Sequence, residues 1–278
     1  MVGVDGVSSI FDMFSEAYEE QKTDDEMERG HEPEEEYSSS TDYSYSPKPA
    51  ITYVISVGGS ILIDQKPDYL MIAKFAESIN KLSDEGYRIV LVVGGGKVCR
   101  NYVAAAKSLG ANNFQLDELG ITITRANASL LLPVINNAHK AVLTEVNQAR
   151  PVLDVGKIPV FGGLHPGITT DAVAALLAEA LDGIFINLTN VDGVYSMDPK
   201  KHPHAKFYDE IAYNELISLM KLGESKPAQN LVLDLPCCLI LKRSKLKGMV
   251  MNGTDLDNFE AAIRGGEFKG TVIGDKNE

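Results

Sequence analysis

The sequence predicts an α/β fold in which a mostly parallel sheet is covered by helices on both faces. Two observations predict it. Apolar, strand-like runs recur at residues 51–57, 88–93, 157–161, 184–188 and 248–252. Helical stretches lie between most of them, at Tyr69 to Leu82, Lys97 to Leu109, Thr124 to Asn137 and Asp171 to Leu181. Strands that alternate with helices form crossover units and hence parallel pairs. In such sheets ligands sit at the carboxyl ends of the strands, so the residues that follow each run are the candidates for function.

The segment before the first strand is different in kind. Of the 39 acidic and 26 basic residues in the chain, the first fifty positions hold 14 and 3, which leaves 25 and 23 for the rest. The net charge of −13 therefore belongs mostly to one segment. Residues 15–50, rich in Glu, Asp, Ser and Tyr and poor in Leu, Ile and Val, cannot bury enough surface to offset the entropy of ordering. Two domains are expected: a disordered acidic arm over 1–50 and a folded domain over 51–278. Ile10, Phe11, Phe14 and Tyr18 share a helical spacing, which reads either as a hook for a partner or as a transient helix without one.

A nearly neutral body offers no broad basic footprint for nucleic acid, and no run of 18 apolar residues is present to span a bilayer. Cys99, Cys237 and Cys238 show no disulfide or zinc spacing, and Met1 to Phe14 lacks the basic and apolar regions of an export signal. A soluble, cytoplasmic protein is expected. The five histidines, His31, His139, His165, His202 and His204, form no metal-ligand set.

Gly58-Gly59-Ser60 follows the first strand. Gly94-Gly95-Gly96-Lys97 follows the second and opens a helix that carries Arg100. Such turns let backbone amides and a helix dipole approach an anion, although tight packing alone also explains glycine there. The second turn is not a Walker A loop, since Leu91 and Val98 stand where its first Gly and its Ser or Thr belong. After the third strand comes Gly162-Gly163-Leu164-His165-Pro166-Gly167-Ile168-Thr169-Thr170-Asp171. Helix capping accounts for one residue of that stretch; its length suits a loop that holds a phosphorylated substrate. After the fourth strand, Thr189 to Pro199 reads either as a surface turn or as a cradle for a nucleobase and ribose.

Taken together, these segments and Asp117-x-x-Gly120-Ile121-x-x-Thr124-Arg125-x-Asn127-Ala128 resemble the amino acid kinase family, and within it most closely its archaeal-type uridylate kinases. The likeness runs from about Tyr53 to Ile273. It implies a three-layer αβα sandwich and transfer of the γ-phosphoryl group of ATP, carried with Mg²⁺, to the phosphate of UMP. By the resemblance, Gly59, Ser60, Gly96 and Arg100 line the ATP phosphates, while Thr189, Asn190, Tyr195 and Asp198 hold its nucleoside. Gly95, Asp117 and the loop residues Leu164, His165, Pro166, Gly167, Ile168, Thr169 and Thr170 hold UMP, with Asp117 on the ribose. Asp171, Arg100 and Lys97 form the catalytic set, with Asp171 orienting the charged groups. No general base is required, because a UMP phosphate oxygen is already ionised at neutral pH.

The chain also departs from the family pattern. Ser56 stands where most of the wider family has Lys, Leu239 stands where archaeal-type members have Lys, and Leu164 and Ile168 flank His165-Pro166-Gly167 where polar residues are common. These changes motivate an alternative, a catalytically impaired member that binds phosphate or another oxyanion as a storage or regulatory subunit. A kinase of isopentenyl phosphate would place a His after the second glycine turn, where Val98-Cys99-Arg100-Asn101 has none. The resemblance further implies a hexamer. The apolar residues Leu70, Ile72, Phe75, Ile79 and Leu82 on the first long helix suggest a surface for association.

Overall fold

In the computed structural model, residues 51–224 and 232–275 are described. The acidic segment over 1–50 lies outside them. Strand β1 (Thr52–Val57) leads through the short helix α1 (Gly59–Leu62) to α2 (Tyr69–Asp84), and β2 (Arg88–Val93) leads to α3 (Gly96–Ser108) and α4 (Asn113–Ser129). Helix α5 (Ala149–Asp154), β3 (Val160–Phe161), α6 (Thr170–Leu181) and β4 (Ile184–Thr189) follow. The chain continues through β5 (Val194–Tyr195), β6 (Phe207–Tyr208), β7 (Glu210–Ile211), α7 (Tyr213–Glu224), α8 (Leu235–Arg243), β8 (Gly248–Asn252), α9 (Leu256–Ile263) and β9 (Thr271–Ile273).

Seven strands form one sheet in the order β3-β2-β1-β4-β8-β9-β7, and all neighbours run parallel except β8 and β9. Strands β5 and β6 make a separate antiparallel ribbon. The sheet is buried on both faces, so its strands are nearly continuous apolar runs. Val54, Val90, Val92 and Phe185 pack with α6 and α8 on one side. Ile55, Val57, Leu91 and Ile186 pack with α2 and α9 on the other. The expected three-layer αβα sandwich is present.

β1 is the strand at which the order reverses, with β2 to one side and β4 to the other. A crevice opens at the carboxyl end of such a reversal, and here it lies beyond Val57 and Thr189.

Helix α2 begins where the Asp68 carboxylate accepts from the Leu70 and Met71 amides, each at 3.1 Å. Its Ile72, Phe75, Ile79 and Leu82 are all buried in the chain's own core, which leaves Tyr69 and Leu70 as the exposed apolar residues at its start. The apolar excess expected of this helix therefore reduces to those two residues.

The helix expected at 124–137 instead spans Asn113–Ser129. It starts at a reciprocal cap, in which the Gln115 amide donates to the Asn112 side chain and the Asn112 amide donates to the Gln115 side chain, both at 3.0 Å. It stops short of Pro133, whose ring disfavours helical geometry in the residue before it.

Candidate active site

The two glycine turns meet backbone against backbone. A Cβ on Gly59 would fall 2.0 Å from the Gly96 nitrogen, and a Cβ on Gly96, at φ +65°, would fall 2.1 Å from the Ile63 carbonyl oxygen. Packing therefore requires glycine at both positions, and the outcome is an open helix start. Gly95 caps α3 without a side-chain bond, so the first amides of α3 are free of a side-chain cap and favour an anion. Lys97 is half-buried in the first turn of α3, and Arg100 is exposed one turn further on. Ser60 follows Gly59 in α1.

Helix α4 holds the neighbouring loops in place. Thr124 Oγ1 donates to the Ile121 carbonyl and accepts from the Gly163 amide, both at 2.7 Å. Arg125 donates to the carbonyls of Gly163 and Leu164 at 3.0 and 3.2 Å, and Asn127 Nδ2 donates to those of Gly94 and Gly95 at 3.0 and 3.2 Å. One turn of helix thus ties the second glycine turn to the 162–170 loop. The sequence displays these three residues, but their scaffolding role depends on which backbone groups lie opposite them.

A hollow of about 430 Å³ opens beside this helix, lined by Cys99, Leu116, Asp117, Gly120, Ile121 and Thr124 and, from the loop, by Gly163, His165 and Gly167 to Thr170. It gathers six of the residues expected to hold UMP: Asp117, His165, Gly167, Ile168, Thr169 and Thr170. Asp117 Oδ2 accepts from the Gly167 amide at 2.9 Å, so this carboxylate also fixes the loop. Leu164 turns its side chain into the core and presents its backbone carbonyl to Arg125. Gly95 abuts Cys99, where a Cβ would come within 2.5 Å of the cysteine Cβ.

On the other side of the switch point, Thr189, Asn190, Tyr195 and Asp198 line one pocket of about 60 Å³ with Met197, Lys200 and Met220. The polar turn that carries them is anchored at several points. The Val194 amide donates to Thr271 Oγ1 at 2.8 Å, and Asp192 accepts from Lys269 at 2.6 Å and from Asn252 at 3.2 Å. Tyr195 packs against Phe207 with ring centroids 5.0 Å apart. Asp198 is 5 % exposed, and its Oδ1 accepts from the Lys200 amide at 3.0 Å. Its Oδ2 meets no hydrogen-bond donor among the described residues; the nearby Lys201 Nζ stands at 3.8 Å.

Between the two hollows, the start of α6 is capped by Thr169, whose Oγ1 accepts from the Ala172 amide at 3.2 Å and donates to Asp234 Oδ2. Asp234 in turn caps α8, accepting from the Cys237 amide at 2.7 Å. Asp171 follows at the first turn of α6. Ser56 Oγ donates to its Oδ1 at 2.6 Å, and Asn187 Nδ2 donates to the same oxygen at 2.9 Å. Burial pushes the Asp171 carboxyl up to about 6, aided by the Asp234 carboxylate and opposed by the bonds from Ser56 and Asn187. Ser56, a departure from the family pattern, thus carries a bond to the central carboxylate. Leu239 lies half-exposed on α8.

Among the described residues no group of three or more His, Cys, Asp or Glu side chains is placed to hold a metal ion, and no helix is long and apolar enough to cross a membrane.

Residues 52–252 match the model of the amino acid kinase family. The chain is 40 % identical over 222 residues to the uridylate kinase of Thermococcus sibiricus, covering 79 % of this chain and 98 % of that protein. It is 41 % identical over 221 residues to the uridylate kinase of Archaeoglobus fulgidus, again covering 79 % and 98 %. The crystal structure of the Archaeoglobus fulgidus uridylate kinase superposes with a TM-score of 0.72 at 40 % identity, covering 81 % of this chain and all of the other. That of the UMP kinase of Ureaplasma parvum superposes with a TM-score of 0.68 at 25 % identity, covering 82 % of this chain and all of the other. The chain belongs to the amino acid kinase family.

Proposed function

We propose that this chain is a UMP kinase, which transfers the γ-phosphoryl group of ATP to UMP and releases UDP and ADP. The observation that carries the reading is the placement of two hollows, one at Asp117 and the 163–170 loop and one at Thr189 to Lys200, on either side of Asp171 and the paired glycine turns. UMP occupies the wider hollow and the ATP nucleoside the narrower one, which the exposed Met197 and Lys200 line. The triphosphate crosses the glycine turns, with Mg²⁺ arriving as part of the ATP substrate and sharing in charge neutralisation.

The protein's own contribution is positioning and electrostatics. Two anionic phosphates repel, and in-line transfer needs them held close while that repulsion is offset. The α3 amides, Lys97 and Arg100 supply fixed positive potential at the meeting point. Thr169 and Thr170 hold the acceptor phosphate, and Asp171 orients the cationic groups around the transferring phosphoryl. The chain works as a hexamer in the cytoplasm, and sedimentation of the purified protein as monomers alone would count against that assembly.

Phosphate transfer from ATP–Mg²⁺ to a panel of nucleoside monophosphates tests the activity. UMP is expected to be phosphorylated in preference to the others. Tight binding of UMP without release of ADP would point instead to a phosphate-binding subunit that has lost transfer.

A further inference from the structure

Mid-sheet, strands β1 and β4 carry a matched pair of buried polar residues. Ser56 and Asn187 are 1 % and 3 % exposed, and the parallel register sets them directly side by side. Buried polar side chains are costly unless bonded, and both of these direct a donor to one atom, Asp171 Oδ1. The other carboxylate oxygen, Oδ2, takes no bond from them. Two donors on neighbouring strands of a rigid sheet fix a carboxylate far better than one on a loop, because neither can move without shearing the β1–β4 ladder.

We propose that Ser56 and Asn187 are positioning residues that grip Asp171 by one oxygen and leave the other to act at the phosphoryl-transfer site. The proposal rests on the UMP kinase reading for its consequence in turnover and on the geometry alone for its effect on Asp171. Two donors to one carboxylate also favour its ionised form. The groups facing it from the other side add no positive charge. From α8 comes the Asp234 carboxylate, together with the thiols of Cys237 and Cys238, which burial pushes well up and to about 12 respectively, so that both are neutral at physiological pH. From β1 and β4 come the uncharged Ser56 and Asn187 themselves.

The test uses the full chain with Ser56→Ala, Ser56→Thr and Asn187→Ala. Each alanine variant is expected to lower kcat roughly 10-fold near neutral pH, with KM for UMP and ATP little changed, as expected for loss of a charge-assisted hydrogen bond. The acid limb of the kcat–pH profile should move up by about one pH unit, so that activity partly recovers in alkaline buffer. Ser56→Thr, which keeps the hydroxyl, should restore both rate and profile. A loss uniform across pH, or one confined to KM, would overturn the proposal and leave the pair a structural role. The carboxyl ¹³C resonance of Asp171, titrated without nucleotides, separates the two readings. A midpoint near 6 in the parent that rises in both alanine variants upholds the grip even if the chain transfers no phosphate. An unmoved midpoint refutes it whatever the activity.

Discussion

Asp171 and Asp198 flank the same crevice, and their surroundings are opposite. Asp171 receives two donors on one oxygen from buried neighbours in the sheet. Asp198 is also buried, at 5 % exposure, yet its Oδ2 is reached by no hydrogen-bond donor among the described residues. A buried carboxylate oxygen without a partner is costly to the fold. The contrast teaches that the sheet holds the Asp171 carboxylate by one oxygen, while Asp198 keeps one oxygen without a hydrogen bond from the described residues at the wall of a pocket. The two hollows around them follow the same division. The wider one is braced by α4 through Thr124, Arg125 and Asn127, and the narrower one closes about a carboxylate still able to accept a bond.

The largest effect expected to break this contrast comes from Asp171→Asn. It should lower kcat on the order of 10²-fold or more, with KM for both substrates within a few-fold, as for loss of a preorganised electrostatic group. Steady-state kinetics checks this, and near-parental turnover would remove Asp171 from the catalytic centre. The same variant should also change the pH dependence of stability. Burial raises the folded-state carboxyl to about 6, above its ordinary value of 3.8, so the folded state binds this proton more tightly than the unfolded state. The group's contribution to stability therefore falls as pH rises from about 4 to 6 and stays low above that window. Activity should run the other way, rising as the carboxylate ionises. In melts over that pH range, Asp171→Asn should flatten this part of the stability profile.

Asp198→Asn should produce a smaller and differently shaped change. It replaces a buried carboxylate, whose Oδ2 has no hydrogen bond among the described residues and only Lys201 at 3.8 Å, by a neutral amide, so melting without nucleotide should change little, while KM for ATP rises about 10-fold. A lower melting temperature with unchanged ATP affinity would reverse the assignment, making Asp198 a structural residue. The smallest effect belongs to Asp117→Ala, which frees the Gly167 amide at the rim of the wider hollow. KM for UMP should rise several-fold while kcat and KM for ATP hold nearly constant. Equal weakening of both nucleotides would show that the two hollows are not separate.

The sequence made the sandwich legible because strands buried on both faces leave apolar runs, and the helices between them carry their own periodicity. It also made the turns legible, since glycine at Gly59 and Gly96 is demanded by backbone contact that no side chain permits. The start of α4 was harder to place. Its signal, Asn112 and Gln115 at capping spacing, precedes a helix whose Phe114 is exposed, so the apolar pattern points further along the chain. The pairing of Ser56 with Asn187 could not be read at all, because it depends on which strands are neighbours and in what register. For the same reason Ser56 read as the loss of a lysine, although in the fold it holds a bond to Asp171.

The central claim is that transfer takes place around Asp171, between the two hollows. The most direct measurement mixes the full chain with ATP–Mg²⁺ and UMP and follows UDP and ADP together, beside Asp171→Asn at equal concentration and with UMP binding measured for both. The account predicts UDP and ADP in equal amounts from the parent, and from the variant a rate on the order of 10²-fold lower with UMP still bound. UMP bound by the parent with no UDP formed, or equal rates from the two proteins, would contradict it.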